Sequence, residues 1–409
     1  MVSRALGRSA PGVVVFPGPA RLAYLDTNAG RISLTIHRSH APAATFWKAL
    51  QASPSVSLTH AQCYESARAW YEHVSPARGA EPLIVAGRYE NGKPQFLLPF
   101  EVGPRFGLRT LTWVGQDLAN YNMGLFEKAF AEQISGADMR TLLKSVCEQA
   151  GGFALAELRN QPLVWDGIPN PLVRLEHQKA ANSGYATLLD ADFETFYRNR
   201  FSGKTRNSLR RKERKLADIG ELHYASAGGE AECDSILGEF FRQKAEWFRR
   251  HGIANIFSAP EYRAYFNQLA LLPEGTPGRL ELGYLRVGER IAATYNGSLV
   301  SGRFHLLLSS IEGGETGRWS PGIILLRHQI RDMCLRGCHR YDMGTGLAQH
   351  KSEWADEENK LFDTLLAFNA TGHALKIPLR AAGSAKRFIK SRPALWSMAT
   401  KVRQAIASR

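Results

Sequence analysis

Residues 302–310, GRFHLLLSS, followed after a polar loop by RWSPGIILLRHQIRDMCLRGCHRYDMGTGLAQHKSEW at 318–354, decide the fold of this chain. The stretch reads as a strand, a glycine-containing loop, an amphipathic helix and a second strand, with Asp342, His350 and Lys351 arriving around the end of that strand. Ser320 is expected to cap the helix and Pro321 to take its first position, where a missing N–H has no intrahelical partner to lose. Ile323, Leu326, Ile330 and Met333 recur at helical spacing, and Gly337 supplies the stop. The helix therefore buries one stripe and turns its N-terminal N–H groups toward the loop 313–322. Such an end, at the positive pole of the helix dipole, suits a phosphate; an ordinary strand-to-helix turn is the alternative.

Working outward, 409 residues suffice for two domains at about 150 residues each. A hydrophobic content of 44% with 22% charged residues is that of a folded chain. No run approaches the roughly 18 apolar residues that span a bilayer, and the first apolar stretch is too short for a signal peptide, so a cytoplasmic location is expected. Five cysteines without CxxC spacing indicate neither a disulfide framework nor a zinc site, and no metal is expected.

The net charge of +14 is unevenly spread. Residues 198–215 hold nine Lys or Arg against Glu213 alone, and residues 364–409 hold nine and no acid, which leaves minus three for everything else. A near-neutral body with two basic patches suits a specific anionic ligand or an anionic membrane surface, and argues against nucleic acid as the partner.

Before residue 160 the pattern is strand, strand, strand, loop, helix, strand, with a hairpin turn at Asn91-Gly92 and the loop at Gln116–Tyr121. A proline-containing connection follows at about 160–188. Helices are then expected over 193–216, broken at Gly203, over 234–250, and after a capping box formed by Ser258 and Glu261. The first order of elements then returns: three strands between 280 and 309, the loop, the helix and the strand 339–343. Two copies of one α/β unit are indicated, with domains at 1–180 and 181–385 and a basic amphipathic tail at 386–409 carrying Phe388 and Trp396.

The second half resembles the GCN5-related N-acetyltransferase superfamily, in the tandem-domain branch named after the CelD/BcsL proteins of bacterial cellulose biosynthesis and related to the Fem peptidyltransferases. The matching marks are Arg206 with RRKERKL, Gly220, Trp247, Arg290 to Ala293, Ser320-Pro321-Gly322, Gly337, Tyr341 to Gly344, and Lys351 with Trp354. The first half fits more loosely through Trp70, Leu98-Pro99 and Trp113 to Tyr121. The resemblance implies an α/β (α+β) fold of two tandem acyltransferase-like domains, each a mixed sheet flanked by helices. It implies acyl-CoA or acetyl-CoA as co-substrate, its pantetheine arm in the gap between splayed strands and its pyrophosphate at Arg318, Ser320, Pro321, Gly322 and Ile323. The family commonly has an aromatic residue before the lysine, where this chain has His350.

Acyl transfer needs a neutral amine or activated hydroxyl, a polarised carbonyl and a proton for the leaving thiolate. Asp342 either takes the acceptor proton or anchors the acceptor, His350 offers a base near neutral pH, and Lys351 stabilises developing negative charge. Each also has a plain reading, Asp342 as a strand-end cap and the other two as solvated side chains. Asp117, Asn120 and Tyr121 either face the acceptor or close a turn; Arg206 and Arg210 either bind an anionic acceptor or form a solvated basic face. The expectation is a cytoplasmic acyltransferase, peripheral at the inner face of the membrane, acting on an amine or hydroxyl of a polysaccharide precursor or amino-lipid. The competing readings are a Fem-type enzyme using aminoacyl-tRNA and a non-catalytic scaffold. Gly344-Thr345-Gly346 lacks the third glycine of a dinucleotide fingerprint, and no GxxxxGK[ST] is present.

Overall fold

The computed structural model describes residues 22–346 and 349–390, together with Arg392 and Leu395. In the first half the strands are β1 (Leu22–Thr27), β2 (Gly30–His37), β3 (Glu81–Tyr89), β4 (Pro94–Arg105), β5 (Leu108–Trp113), β6 (Leu125–Phe126), β7 (Leu155–Pro162), β8 (Val164–Trp165), β9 (Ile168–Pro169) and β10 (His177–Lys179). In the second they are β11 (Gly184–Leu188), β12 (Leu222–Ser226), β13 (Glu281–Val287), β14 (Arg290–Val300), β15 (Arg303–Ile311), β16 (Arg340–Thr345), β17 (Glu357–Asn359) and β18 (Leu361–Ala367). One sheet has the order β1-β2-β3-β4-β5-β7-β18-β10 with β6 beside β4; the other has the order β12-β13-β14-β15-β16-β11-β17.

The internal recurrence is visible in the pairing. Each half sets three antiparallel strands, β3-β4-β5 and β13-β14-β15, beside a parallel strand, β7 and β16, that returns after helical segments. The neighbour of that parallel strand is antiparallel in both sheets: β18 lies beside β7, and β11 beside β16. Sequence position does not predict this, and it corrects the expected boundaries. The second sheet ends at β17, whereas residues 361–367 complete the first sheet and the helix Ala370–Lys390 packs on β18 and β7. Of the expected tail, Arg387 and Lys390 bond Lys179 O and Asn182 Oδ1, tying the helix to the first sheet's edge; Trp396 lies outside the described residues.

Alternation along β16 explains how the second sheet divides its faces. Tyr341 and Met343 join Phe304 and Tyr295 in a core under the helix Pro321–Leu335, while Asp342 points to the other face, toward the first half. A separate core crosses between the halves, where Trp70 meets Tyr262 and Tyr265 edge-on. The two units are therefore joined by apolar packing as well as by exchanged strands.

Several local expectations are revised. The helix expected near 127–149 is two helices, Lys128–Gln133 and Gly136–Gln149, because Ser135 accepts from Asp138 N and caps the second. Ser258 donates to Asn255 O and caps nothing, and the following helix starts at Pro260. Helix Gly203–Ala217 does begin at the expected break, capped by Ser202. The presumed connection 160–188 contains the hairpin β8–β9, whose Asp166-Gly167 turn has φ of 47° and 79°, both positive as a two-residue hairpin turn requires.

Candidate active site between the two halves

β15 and β16 run parallel and pair only over Arg303–His305 with Arg340–Asp342. Opposite β14, Asn296 faces Leu308 but Gly297 faces Leu306, so β15 carries an extra residue at Leu307. A bulge of this kind bends its strand. Past His305 the two strands separate, and Asp342 sits where the gap begins.

Asp342 is 1% exposed. Its Oδ1 accepts from Gly344 N at 2.7 Å, the local turn expected of a strand-end Asp, and also from the Tyr121 hydroxyl at 2.9 Å. Its Oδ2 faces Arg303 Nη1 at 3.5 Å. Burial raises the carboxyl from 3.8 to about 6, against the lowering effects of Arg303, Gly344 N, Tyr121 and Lys351. Asp342 is thus poised to take a proton near neutrality.

Lys351 lies on the short helix Gln349–Trp354, anchored by Trp354, whose buried ring packs against Phe201 and Tyr197. The ammonium donates to Thr345 O at 2.8 Å, and burial lowers it to about 8 even though the Asp342 charge opposes that shift. The side chain of His350 lies outside the described residues.

Asn120 reaches into the gap from the first half. Its Nδ2 donates to Leu306 O on β15 at 3.2 Å, and its Oδ1 accepts from Thr345 N on β16 at 3.1 Å. The carboxamide stands in for a peptide unit between two strands that no longer reach each other. Gly344 admits it, since a Cβ at that position would meet the amide. Asn120 and Tyr121 therefore lie at the gap beside Asp342.

Asp117 does not. It ion-pairs with Arg78, Arg105 and Arg159, and although burial opposes this, those arginines hold its carboxyl down at about 2. Arg206 is also displaced from the expected role: its guanidinium donates to Arg198 O and Phe201 O, capping the end of helix Phe193–Arg200. Arg210 is exposed on the outer face of the basic helix.

The helix start at Ser320 differs from expectation in a way that matters for phosphate. Ser320 has φ 58° and ψ 53°, a left-handed conformation, and its hydroxyl accepts from Lys212 Nζ at 3.1 Å instead of capping the helix. Ile323 and Ile324 N–H both return to Ser320 O, so Gly322 N–H is the first-turn donor left to the loop. Pro321 is buried at the first position, and Gly322 packs under the exposed Ile311 side chain. Arg318 is exposed next to this end; the cleft adjoining the loop at Gly313–Thr316 carries Arg242, Arg250 and Arg290 together with Glu246, Glu289, Glu312 and Glu315, with Arg242 paired to Glu312 and Arg250 to Glu246, so the cations left for a phosphate at the helix end are Arg318 and Lys212. Two cations and one N–H fit a phosphate here; Ile323 contributes an apolar contact only.

A group of residues outside the expected set completes the site. Trp165 stacks on His305, lies tilted against Tyr121, and sits under the Arg303 guanidinium, whose carbon is 4.0 Å from the ring centroid. Asp166 pairs with Arg303 at 2.5 Å and with Arg340 at 3.2 Å. The sequence marks these residues only as two polar groups on one strand face, Arg303 and His305 in GRFHLLL, and as a turn pair, Asp166-Gly167, neither of which distinguishes a site. On the same face both carboxamide atoms of Asn296, Ser298 Oγ, His305 Nε2 and Arg303 Nε are buried without a hydrogen-bond partner among the described residues, as are Gln62 Nε2 and His60 Nδ1 opposite. Buried polar atoms of this kind are ordinarily paired, with protein, ordered water or a ligand.

A mixed sheet opened between two parallel strands, with an ionisable Asp and Lys at the opening, defines an acyltransferase of the GCN5-related class. Residues 203–352 match the acetyltransferase (GNAT) domain family. FemX has a similar structure, with a TM-score of 0.53 at 10% identity over 78% of this chain and 98% of that one. Further similar structures are the C-terminal domain of a putative lysylphosphatidylglycerol synthetase from Agrobacterium fabrum (TM-score 0.49, 12% identity, 83% of this chain and 95% of that one), and a tandem GNAT protein from the clavulanic acid biosynthesis pathway (TM-score 0.47, 9% identity, 82% and 98%). At 10% identity the likeness to FemX is one of fold. No curated protein matches the sequence. Among the described residues there is no helix long and apolar enough to cross a membrane.

Proposed function

We propose that this chain is an acyl-CoA-dependent acyltransferase that transfers its acyl group to an amine or hydroxyl of an envelope-related acceptor. The observation that carries the reading is the buried Asp342 at the mouth of the β15–β16 gap, held by Tyr121 from the other half of the chain. Bound acyl-CoA would supply the activated thioester. Gly322 N–H, Lys212 and Arg318 would hold its phosphates at one end of β15, and the gap would guide the carrier arm toward Asp342 at the other.

The chain's own groups then divide the work. Asp342 takes the proton from the acceptor nitrogen or oxygen as the new bond to the acyl carbon forms. Arg303 keeps that carboxylate charged until it is needed. Lys351, lowered to about 8, stabilises the negative charge developing on the carbonyl oxygen and can yield a proton to the departing thiolate. The CelD/BcsL type of enzyme, and with it a role in cellulose or exopolysaccharide synthesis, belongs to this proposal.

Free-thiol release from a panel of CoA thioesters, with and without candidate amines, tests it. Amine-dependent release supports the reading. Absence of release from every thioester, together with binding of charged tRNA, replaces it with the Fem-type alternative. The proposal extends to location: the basic helix ending at Lys390 and the segment after it rest on anionic lipid. Liposome co-sedimentation checks this, and equal pelleting of the full chain and residues 1–384 would overturn it.

A further inference from the structure

Three neighbouring strands of the second sheet line up one polar side chain each. Ser298 on β14 is the cross-strand partner of His305 on β15, and His305 is the partner of Asp342 on β16. Asn296, two residues before Ser298, continues the row on the same face. All four are nearly inaccessible to solvent. The opposite wall comes from the first half, where the turn His60–Gln62 packs against β14 and Trp165 stacks on His305.

The wall groups are neutral where they leave Asp342 behind. Burial holds His305 well below the usual imidazole range and His60 at about 4, so each ring offers one N–H and one lone pair. His60 Nε2 is engaged with Ser66 Oγ at 3.2 Å, which leaves Nδ1 without a partner among the described residues. The row therefore runs from an ionisable carboxylate outward through an imidazole and a hydroxyl to a carboxamide. Donors and acceptors alternate in close succession, which suits hydroxyl groups better than a further charge or an alkyl chain.

The cover over this row is the hairpin β8–β9, a two-stranded unit of its own and not part of either large sheet. Trp165 and Asp166 hold it down, the latter through Arg303 and Arg340. The hairpin's pairing is separate from both large sheets, and its Trp165 and Ile168 are buried in the core of the first half.

We infer that this row is the acceptor pocket and that it selects a small hydroxylated amine, with the amine at Asp342 and the hydroxyls along His305, Ser298 and Asn296. The inference rests on the acyltransferase reading and separates its two acceptor classes, favouring a sugar-like amine over an amino-lipid. A chain lacking hydroxyls would leave the buried wall groups unpaired, the strongest kind of discrimination a site can apply.

The test is calorimetric binding by the full chain, with D-glucosamine as the hydroxylated probe and hexylamine as the apolar one, beside thermal unfolding of Asn296→Leu and Ser298→Ala. D-glucosamine is expected to bind and hexylamine at least tenfold more weakly. Each substitution is expected to weaken D-glucosamine at least tenfold while Tm stays level or rises, because an unpaired buried group has been exchanged for an apolar one. Binding of hexylamine as tight as D-glucosamine, or no D-glucosamine binding at all, would overturn the inference. So would a fall in Tm for both variants, which would make the row part of the structural framework. None of these readouts uses a CoA thioester, so failure of the donor reading appears separately, as absent thiol release from a chain that still binds the amine.

Discussion

Tyr121 and Asp342, 221 residues apart in the chain, share a buried hydrogen bond of 2.9 Å. The base of one half is thereby held by a residue of the other, and the hydroxyl favours the ionised carboxylate. Tyr121→Phe removes that donor and leaves the ring packed against Trp165. Turnover at pH 7 is expected to fall about tenfold, with the acidic limb of the pH–rate profile moving to higher pH. An unmoved limb would show that the hydrogen bond does not tune the base.

Asp342→Asn and Lys351→Ala are each expected to cut turnover at least about tenfold while leaving the fold intact. Circular dichroism and thiol release on the same preparations check both halves of the statement. Unchanged rates would remove the two residues from the site.

The pH dependence of kcat/KM should rise through about 6 as Asp342 ionises and decline above about 8 as Lys351 loses its proton. Stability has the opposite sign at Asp342. Its folded value lies above 3.8, so the protonated form is favoured in the fold, and the stabilisation present below that value is lost as pH rises through about 6. The site is thus ionised for activity at some cost to stability, and Asp342→Asn should flatten this part of the stability curve in denaturant titrations.

Asp117 behaves in the reverse way. Its folded value of about 2 lies below the ordinary 3.8, so its contribution is present above 3.8 and lost as pH falls through about 2. Asp117→Asn leaves Arg78, Arg105 and Arg159 without their shared partner and is expected to cost about 2 kcal/mol at pH 7. Urea unfolding measures it. An undiminished affinity for the amine probe in that variant would agree with a structural role in place of the substrate contact expected from the sequence.

How much of this was legible in the sequence follows from range. Periodicity and turn residues act over a few positions, so the sequence by itself determined the strand–loop–helix–strand order at 302–345, the helix start at Pro321, the repeat of that order in the first half, and Asp342 and Lys351 as candidates. The tertiary structure alone decided the rest, because it depends on which surfaces meet. Only in the fold does β18 complete the first sheet, Asn120 bridge the opened strands, and Asp117 and Arg206 turn out to be spent on local partners. Arg303, His305, Ser298 and Trp165 carry no motif that separates them from ordinary strand and turn residues. Burial opposite the other half of the chain, where a polar atom must find a partner or pay for lacking one, is what makes them a site.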